Sequence, residues 1–188
     1  MLFEQAREFI LNKIETELPE TFFYHNIDHT RDVRSAAEVI GKAEHISDAD
    51  MRLLLIAACY HDSGYLVSLC EHEIESCKLA EEHLPGCGFS KEEIKKICGM
   101  IMATRIPQSP KDHLEKILAD ADLDYLGRDD FFEIGDKIYQ EWGLTDRDEW
   151  NEMQVKFLEE HQYFTKTALN LRGPKKRGNL EKVRALLK

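Results

Sequence analysis

Proline is scarce, with five in 188 residues. No internal repeat, low-complexity stretch or second-domain linker interrupts the chain, which leaves one ordered globule with a sizeable core as the reading. Apolar runs are short, and none reaches the ~18 residues that a membrane-crossing helix needs. The first residues, Met1-Leu2-Phe3-Glu4-Gln5-Ala6-Arg7-Glu8, carry acid early and contain no apolar signal core, so the chain reads as soluble, unprocessed and without a membrane partner. Cysteines 59, 70, 77, 87 and 98 are odd in number and contain no C-x-x-C pair, which speaks against a disulfide framework or a zinc knuckle and for reduced thiols in a cytoplasm. Basic residues are outnumbered, 25 against 36 acidic ones, for a formal charge of −11. Such a surface repels a nucleic-acid polymer. A small phosphorylated molecule remains compatible, because a bound cation reverses the field inside a pocket.

No window of β-branched alternation with hairpin turns occurs, and the periodicity throughout is helical. Phe3, Ala6, Phe9, Ile10, Ile14 and Leu18 predict a first helix that Pro19 ends. A second helix is expected from about Asp28 or Thr30 to Ile40, with Gly41 near its end. Ser47-Asp48-Ala49-Asp50 reads as an N-cap and acidic first turn for a helix from Met51 to Tyr60, apolar nearly all round and hence central. Glu71 to His83 forms an acidic amphipathic helix, and Ser90-Lys91-Glu92-Glu93 a capping box for a helix through Met102. Further helices are predicted over 111–126, 130–142 and 147–171, followed by a basic, breaker-rich loop over 172–179 and a short last helix over 180–188. The fold class is all-α, a single-domain helical bundle over 1–188, with a metal-binding core at about 22–127 and C-terminal helices over 128–188.

The chemistry concentrates at His61-Asp62, which ends the apolar run Leu53 to Tyr60 and precedes Ser63-Gly64. An imidazole and a carboxylate at the end of a buried helix are costly to desolvate unless a proton or a metal compensates them. Upstream lies Tyr24-His25-Asn26-Ile27-Asp28-His29, and downstream Leu118-Ala119-Asp120-Ala121-Asp122-Leu123. If His29, His61, Asp62 and one of the later aspartates converge, the mixture of imidazole and carboxylate suits Mn, Fe, Zn or Ni more than Ca. Adjacent residues leave a helix about 100° apart, so the ion would lie beyond the helix end or between helices.

At these blocks, taken in order, the chain resembles the HD superfamily of metal-dependent phosphohydrolases. The resemblance covers most of the sequence: Tyr24-His25-Asn26 with His29, then Ala57 to Tyr65 around His61-Asp62, His72-Glu73 with Ser76, Ile101 to Thr104, and Asp120 to Gly127. It implies a helical bundle holding one divalent metal (Mn, Fe, Zn, Ni or Mg) and an activity on phosphate esters of nucleotides or related metabolites. Carried over, the ligands are His29, His61, Asp62 and an aspartate of the last block. Asp122 is preferred because Leu118, Ala119, Tyr125 and Leu126 make a core face around it, while Asp120 neighbours Lys116 and Asp124; Asp120 stays open as the alternative.

Asp62, with His72 and Glu73, is the candidate catalytic group; the two later residues support the ligands, orient the attacking water or supply a second metal, unless they belong to a solvated acidic face. Thr104 stands where dinuclear relatives carry a histidine, which favours one metal and speaks against oxidative two-iron chemistry. His25 and Arg105 are candidate substrate contacts, with Lys95 and Lys96 as further phosphate-facing cations. His83, His113 and His161 match no ligand block, and Lys175-Lys176-Arg177 reads as a solubilising run. The implied partner is a small phosphorylated substrate, a nucleotide in the first place. Exposed Trp142 or Trp150 would mark a homodimer contact. The competing function is a non-catalytic module that binds metal and nucleotide.

Overall fold

The computed structural model describes residues 2–187. Among the described residues nine α-helices follow one another: α1 (Leu2–Glu17), α2 (Ile27–Ala43), α3 (Asp48–Tyr60), α4 (His72–His83), α5 (Lys91–Ala103), α6 (His113–Asp122), α7 (Phe131–Glu141), α8 (Arg147–Glu160) and α9 (Lys166–Leu186). Short 3-10 turns fill Ser63–Leu66, Leu84–Cys87 and Asp124–Gly127, and the described residues contain no strand.

Helix α3 is the axis of the first core. Leu53 through Tyr60 are all buried, and α1, α2 and α5 pack around it. Burying each of its large aliphatic side chains contributes about 1.5–3 kcal/mol. Ser47 caps α3 by accepting from the Asp50 amide at 3.1 Å, and the capping box at Ser90 and Glu93 starts α5. A second cluster joins Tyr125, Leu126 and Phe131 to Ile138 of α7, Trp150 and Leu158 of α8, and Val183 of α9.

Four local expectations need correction. Helix α6 ends at Asp122, and Asp124–Gly127 is a separate 3-10 turn rather than the end of a long helix. The segment 147–171 is two helices, broken after Glu160. There the Asp120 carboxylate takes the amides of Phe164 and Thr165, both at 2.8 Å, and Thr165 caps α9 by accepting from the Ala168 amide at 3.1 Å. Residues 172–179 form no loop, because α9 runs through Gly173 and Pro174. An interior proline costs a helix about 3 kcal/mol, and tertiary bonds offset it: Arg172 Nε donates to Asp124 at 2.7 Å, and Asn179 Nδ2 donates to the carbonyls of Leu126 and Arg128 at 3.0 and 3.1 Å. Gly127 permits this approach, since a Cβ there would stand 2.4 Å from the Arg172 carbonyl oxygen. Finally, Trp150 is buried (6% exposed) whereas Trp142 is exposed (53%).

Candidate metal centre

Three helix ends meet at one point. His29 lies in the first turn of α2, His61 caps the C-terminus of α3 with Asp62 next to it, and Asp122 is the last residue of α6. His29, His61 and Asp122 each offer a ligand atom, all within 4.8 Å of one another. Asp62 falls outside that tight set, yet its Oδ2 lies 3.3 Å from His29 Nε2 and 3.2 Å from His61 Nε2. The two Nε2 atoms are 3.3 Å apart, and Asp122 Oδ1 is 3.3 and 3.4 Å from them. An ion at the usual 2.0–2.2 Å from N and O ligands puts neighbouring ligand atoms roughly 3 to 3.5 Å apart, so these spacings match the edges of a coordination shell.

The protonation pattern points the same way. His61 Nδ1 donates to the Ala58 carbonyl at 2.9 Å, which leaves Nε2 with its lone pair toward the carboxylates, as in a metal-binding histidine oriented from behind. Asp62 Oδ2 is buried and has no hydrogen-bond partner among the described residues, a state worth a penalty of about 1–3 kcal/mol or more for a charged group. Left to protein groups alone, the cluster balances its charge with protons. Burial would lower His61, but the negative charges of Asp62 and Asp122 close to its Nε2 hold it well above the usual histidine range. Burial would raise Asp62, but the same imidazoles hold it well below the usual carboxylate range. A divalent cation supplies that balance without protons, so the residues fit one.

The surroundings fix this geometry. Ser76 Oγ donates to the His61 carbonyl and accepts from the Gly64 amide, both at 2.7 Å. Gly64 is pressed against α4 so closely that a Cβ would lie 1.8 Å from the His72 carbonyl oxygen. Glu71, in a left-handed conformation (φ +54°), turns the chain into α4. His72 stacks on Tyr65 with ring centroids 4.0 Å apart, and its Nε2 stands 3.4 Å from Asp62 Oδ1 and 3.5 Å from Glu73 Oε1. Glu73 is buried (6% exposed) rather than part of a solvated acidic face.

His25 lies outside the ligand cluster: its Nδ1 pairs with Glu141 Oε1 of α7, while Glu141 Oε2 accepts the amides of Tyr24 and His25 at 2.7 and 3.0 Å. Asp120 points into α9, as described. Arg105 is exposed and pairs with Glu71 at 3.4 Å, and Lys95 and Lys96 are exposed on α5. Thr104 is buried, its hydroxyl donating to the Ile101 carbonyl at 2.8 Å.

A cavity of about 360 Å³ opens on this cluster. Asp62, Asp122, His72, Glu73, His25 and Thr104 line one end; its other walls come largely from α7 and α8, including Phe131, Ile138, Trp150 and Phe157. This second wall lies in residues the sequence reading assigned only to C-terminal helices. Phe131, Ile134 and Ile138 at helical spacing read as a core stripe, and Gly135 among them was the one signal of space.

No protein-family model matches the chain, and no curated protein matches it either. Solved structures do. The crystal structure of a predicted HD superfamily hydrolase from an uncultured Thermotogales bacterium is 21% identical, with 98% of this chain and 90% of that chain covered and a TM-score of 0.66. The crystal structure of Bacillus subtilis YpgQ in complex with ADP is 19% identical, with 99% of this chain and 95% of that chain covered and a TM-score of 0.70. The helices of this chain are thus arranged in the fold of HD-domain proteins.

Proposed function

We propose that the chain is a metal-dependent phosphohydrolase, in which His29, His61, Asp62 and Asp122 hold one divalent cation (Mn, Fe, Zn, Ni or Mg). The observation that carries this reading is the trio of ligand atoms of His29, His61 and Asp122 within 4.8 Å of one another, with the orphaned Asp62 Oδ2 3.3 and 3.2 Å from the two imidazoles. When bound, such a cation acidifies a water molecule and polarises a phosphoryl oxygen. The protein groups then handle the protons. Asp62 turns Oδ2 to the ligand cluster and Oδ1 to His72, so Oδ1 is placed to take a proton from the attacking water. His72 Nε2 stands between Asp62 Oδ1 and Glu73 Oε1, and is the group assigned to give a proton to the leaving oxygen as the P–O bond to the alcohol breaks and the bond to the water oxygen forms.

The substrate is a nucleotide or another small phosphorylated metabolite. The ADP held by the similarly folded YpgQ supports a nucleotide-sized ligand, and the −11 charge disfavours a nucleic-acid polymer. All five cysteines are free, which supports a reducing, cytoplasmic setting. No helix of the described residues is long and apolar enough to cross a membrane.

The test is a phosphoester panel of mono-, di- and triesters and nucleotides, with protein loaded in turn with Mn, Fe, Co, Zn, Ni and Mg. Turnover that needs metal and falls at least a hundredfold in His61→Ala and Asp62→Ala is the expected result. Thermal stabilisation by nucleotides with no turnover under any metal would instead identify a binding module.

A further inference from the structure

Resting on that phosphohydrolase reading, we propose that the substrate is a phosphate monoester with a flat apolar body, its charge confined to one phosphate, rather than a nucleoside polyphosphate. The cavity is divided by chemistry. Its lining carries three carboxyl side chains, Asp62, Glu73 and Asp122, which already offset the charge of a single divalent cation. Among the described residues no Lys or Arg lines it. Arg105 lies between two lining residues, Thr104 and Ile106, but turns outward to Glu71. Arg128, which follows the Asp124–Gly127 turn, is held by Asp32 at 2.7 Å and Asp130 at 2.5 Å. A polyphosphate chain brings three or more negative charges and needs cationic side chains along its length; here each phosphate beyond the first meets acid or hydrocarbon.

The cavity also offers a surface for an apolar ring. Both tryptophans of the chain, Trp142 and Trp150, line it, and Tyr125 and Phe131 stack with centroids 6.2 Å apart and planes within 11°. The rim is apolar too: Ile106, Trp142 and Met153 line the cavity and yet are 53%, 53% and 41% exposed. Exposed large apolar side chains gathered at a cavity mouth mark a ligand surface. Gly135 in α7 leaves the space open, since a Cβ there would sit 3.1 Å from Gln154 Oε1 and 3.9 Å from Trp150. A volume of about 360 Å³ is at the small end of ligand sites, which run from about 300 to 1,000 Å³. It suits one ring system and one phosphate.

Binding separates this from activity. Metal-loaded protein is titrated with 1-naphthylmethylphosphonate and methylphosphonate, which carry no P–O ester bond, and with α,β-methylene-ADP, whose Pα–Pβ bridge is not hydrolysed, by calorimetry and by tryptophan emission. The naphthyl compound is expected to bind at least tenfold more tightly than either of the others and to quench the emission. Trp142→Ala and Met153→Lys, both at exposed positions that tolerate the change, should each weaken the naphthyl compound fivefold or more, and Met153→Lys should narrow its lead over the ADP analogue. Equal or tighter binding of the ADP analogue, or a naphthyl affinity unmoved in both variants, overturns the inference. In turnover, preference for nucleoside polyphosphates over 1-naphthyl phosphate overturns it and leaves the phosphohydrolase reading standing. Absence of both phosphonate binding and phosphoester turnover overturns the two together.

Discussion

Asp120 Oδ2 accepts both the amide and the hydroxyl of Thr165, at 2.8 and 2.7 Å, across 45 residues of sequence. Two residues on, Asp122 faces the opposite way, into the imidazole pair. The separation follows from helix geometry, because residues two apart point about 200° from each other. Asp120 thus fastens the start of α9, while Asp122 belongs to the candidate centre. Asp120→Ala takes the acceptor from three donors, the Phe164 and Thr165 amides and the Thr165 hydroxyl, and should cost about 3 kcal/mol of stability, read in a denaturant titration, with metal content unchanged. Asp122→Asn should show the reverse, a nearly unchanged fold in chelator-treated protein and a loss of metal.

The clamp behind the doublet is open to the same kind of test. Ser76→Ala removes the hydroxyl that joins the His61 carbonyl to the Gly64 amide and should cost about 1–3 kcal/mol. Gly64→Ala drives a methyl into the His72 carbonyl and should cost more, because the backbone of α4 must move. Circular dichroism melts of the two variants check the order; a Gly64→Ala protein as stable as wild type would contradict the close approach.

Glu141 gives the pH dependence a sign. Burial would raise its carboxyl, but the bonds from His25 and from the Tyr24 and His25 amides lower it below the usual glutamate range. A group with a depressed folded value contributes stability that is complete above its unfolded value, about 4.3 for glutamate, and is lost as pH falls through the folded value. Glu141→Gln should therefore destabilise the protein at neutral pH and flatten the fall in stability below about pH 4.5. Melts from pH 7 down to pH 3 measure it; an unchanged acid slope would show that Glu141 is not held as described.

Much of this architecture could be read from residues alone, because the determining interactions are local. The run from Leu53 to Tyr60, the Ser47 cap and the Ser90–Glu93 box need only near neighbours, and they stand where periodicity put them. The blocks in which the chain resembles HD proteins hold His29, His61 and Asp122, whose ligand atoms lie within 4.8 Å of one another, with Asp62 beside the two imidazoles. What escaped was tertiary. The break after Glu160 depends on Asp120, and the continuation of α9 across Gly173-Pro174 depends on Asp124 and on carbonyls of Leu126 and Arg128. Local signals at 172–179 said breaker, and distant partners outweighed them. The second cavity wall escaped for another reason: an apolar stripe has the same spacing whether it faces core or empty space, and only packing distinguishes them.

The account depends most on one cation held by four side chains. Elemental analysis of purified protein, reconstituted with a transition metal and then desalted, measures this directly. The prediction is one ion per chain in wild type and in Asp120→Ala, and a tenth of that or less in His61→Ala and Asp122→Asn. Wild-type protein that retains no metal, or variants that retain as much as wild type, would contradict it.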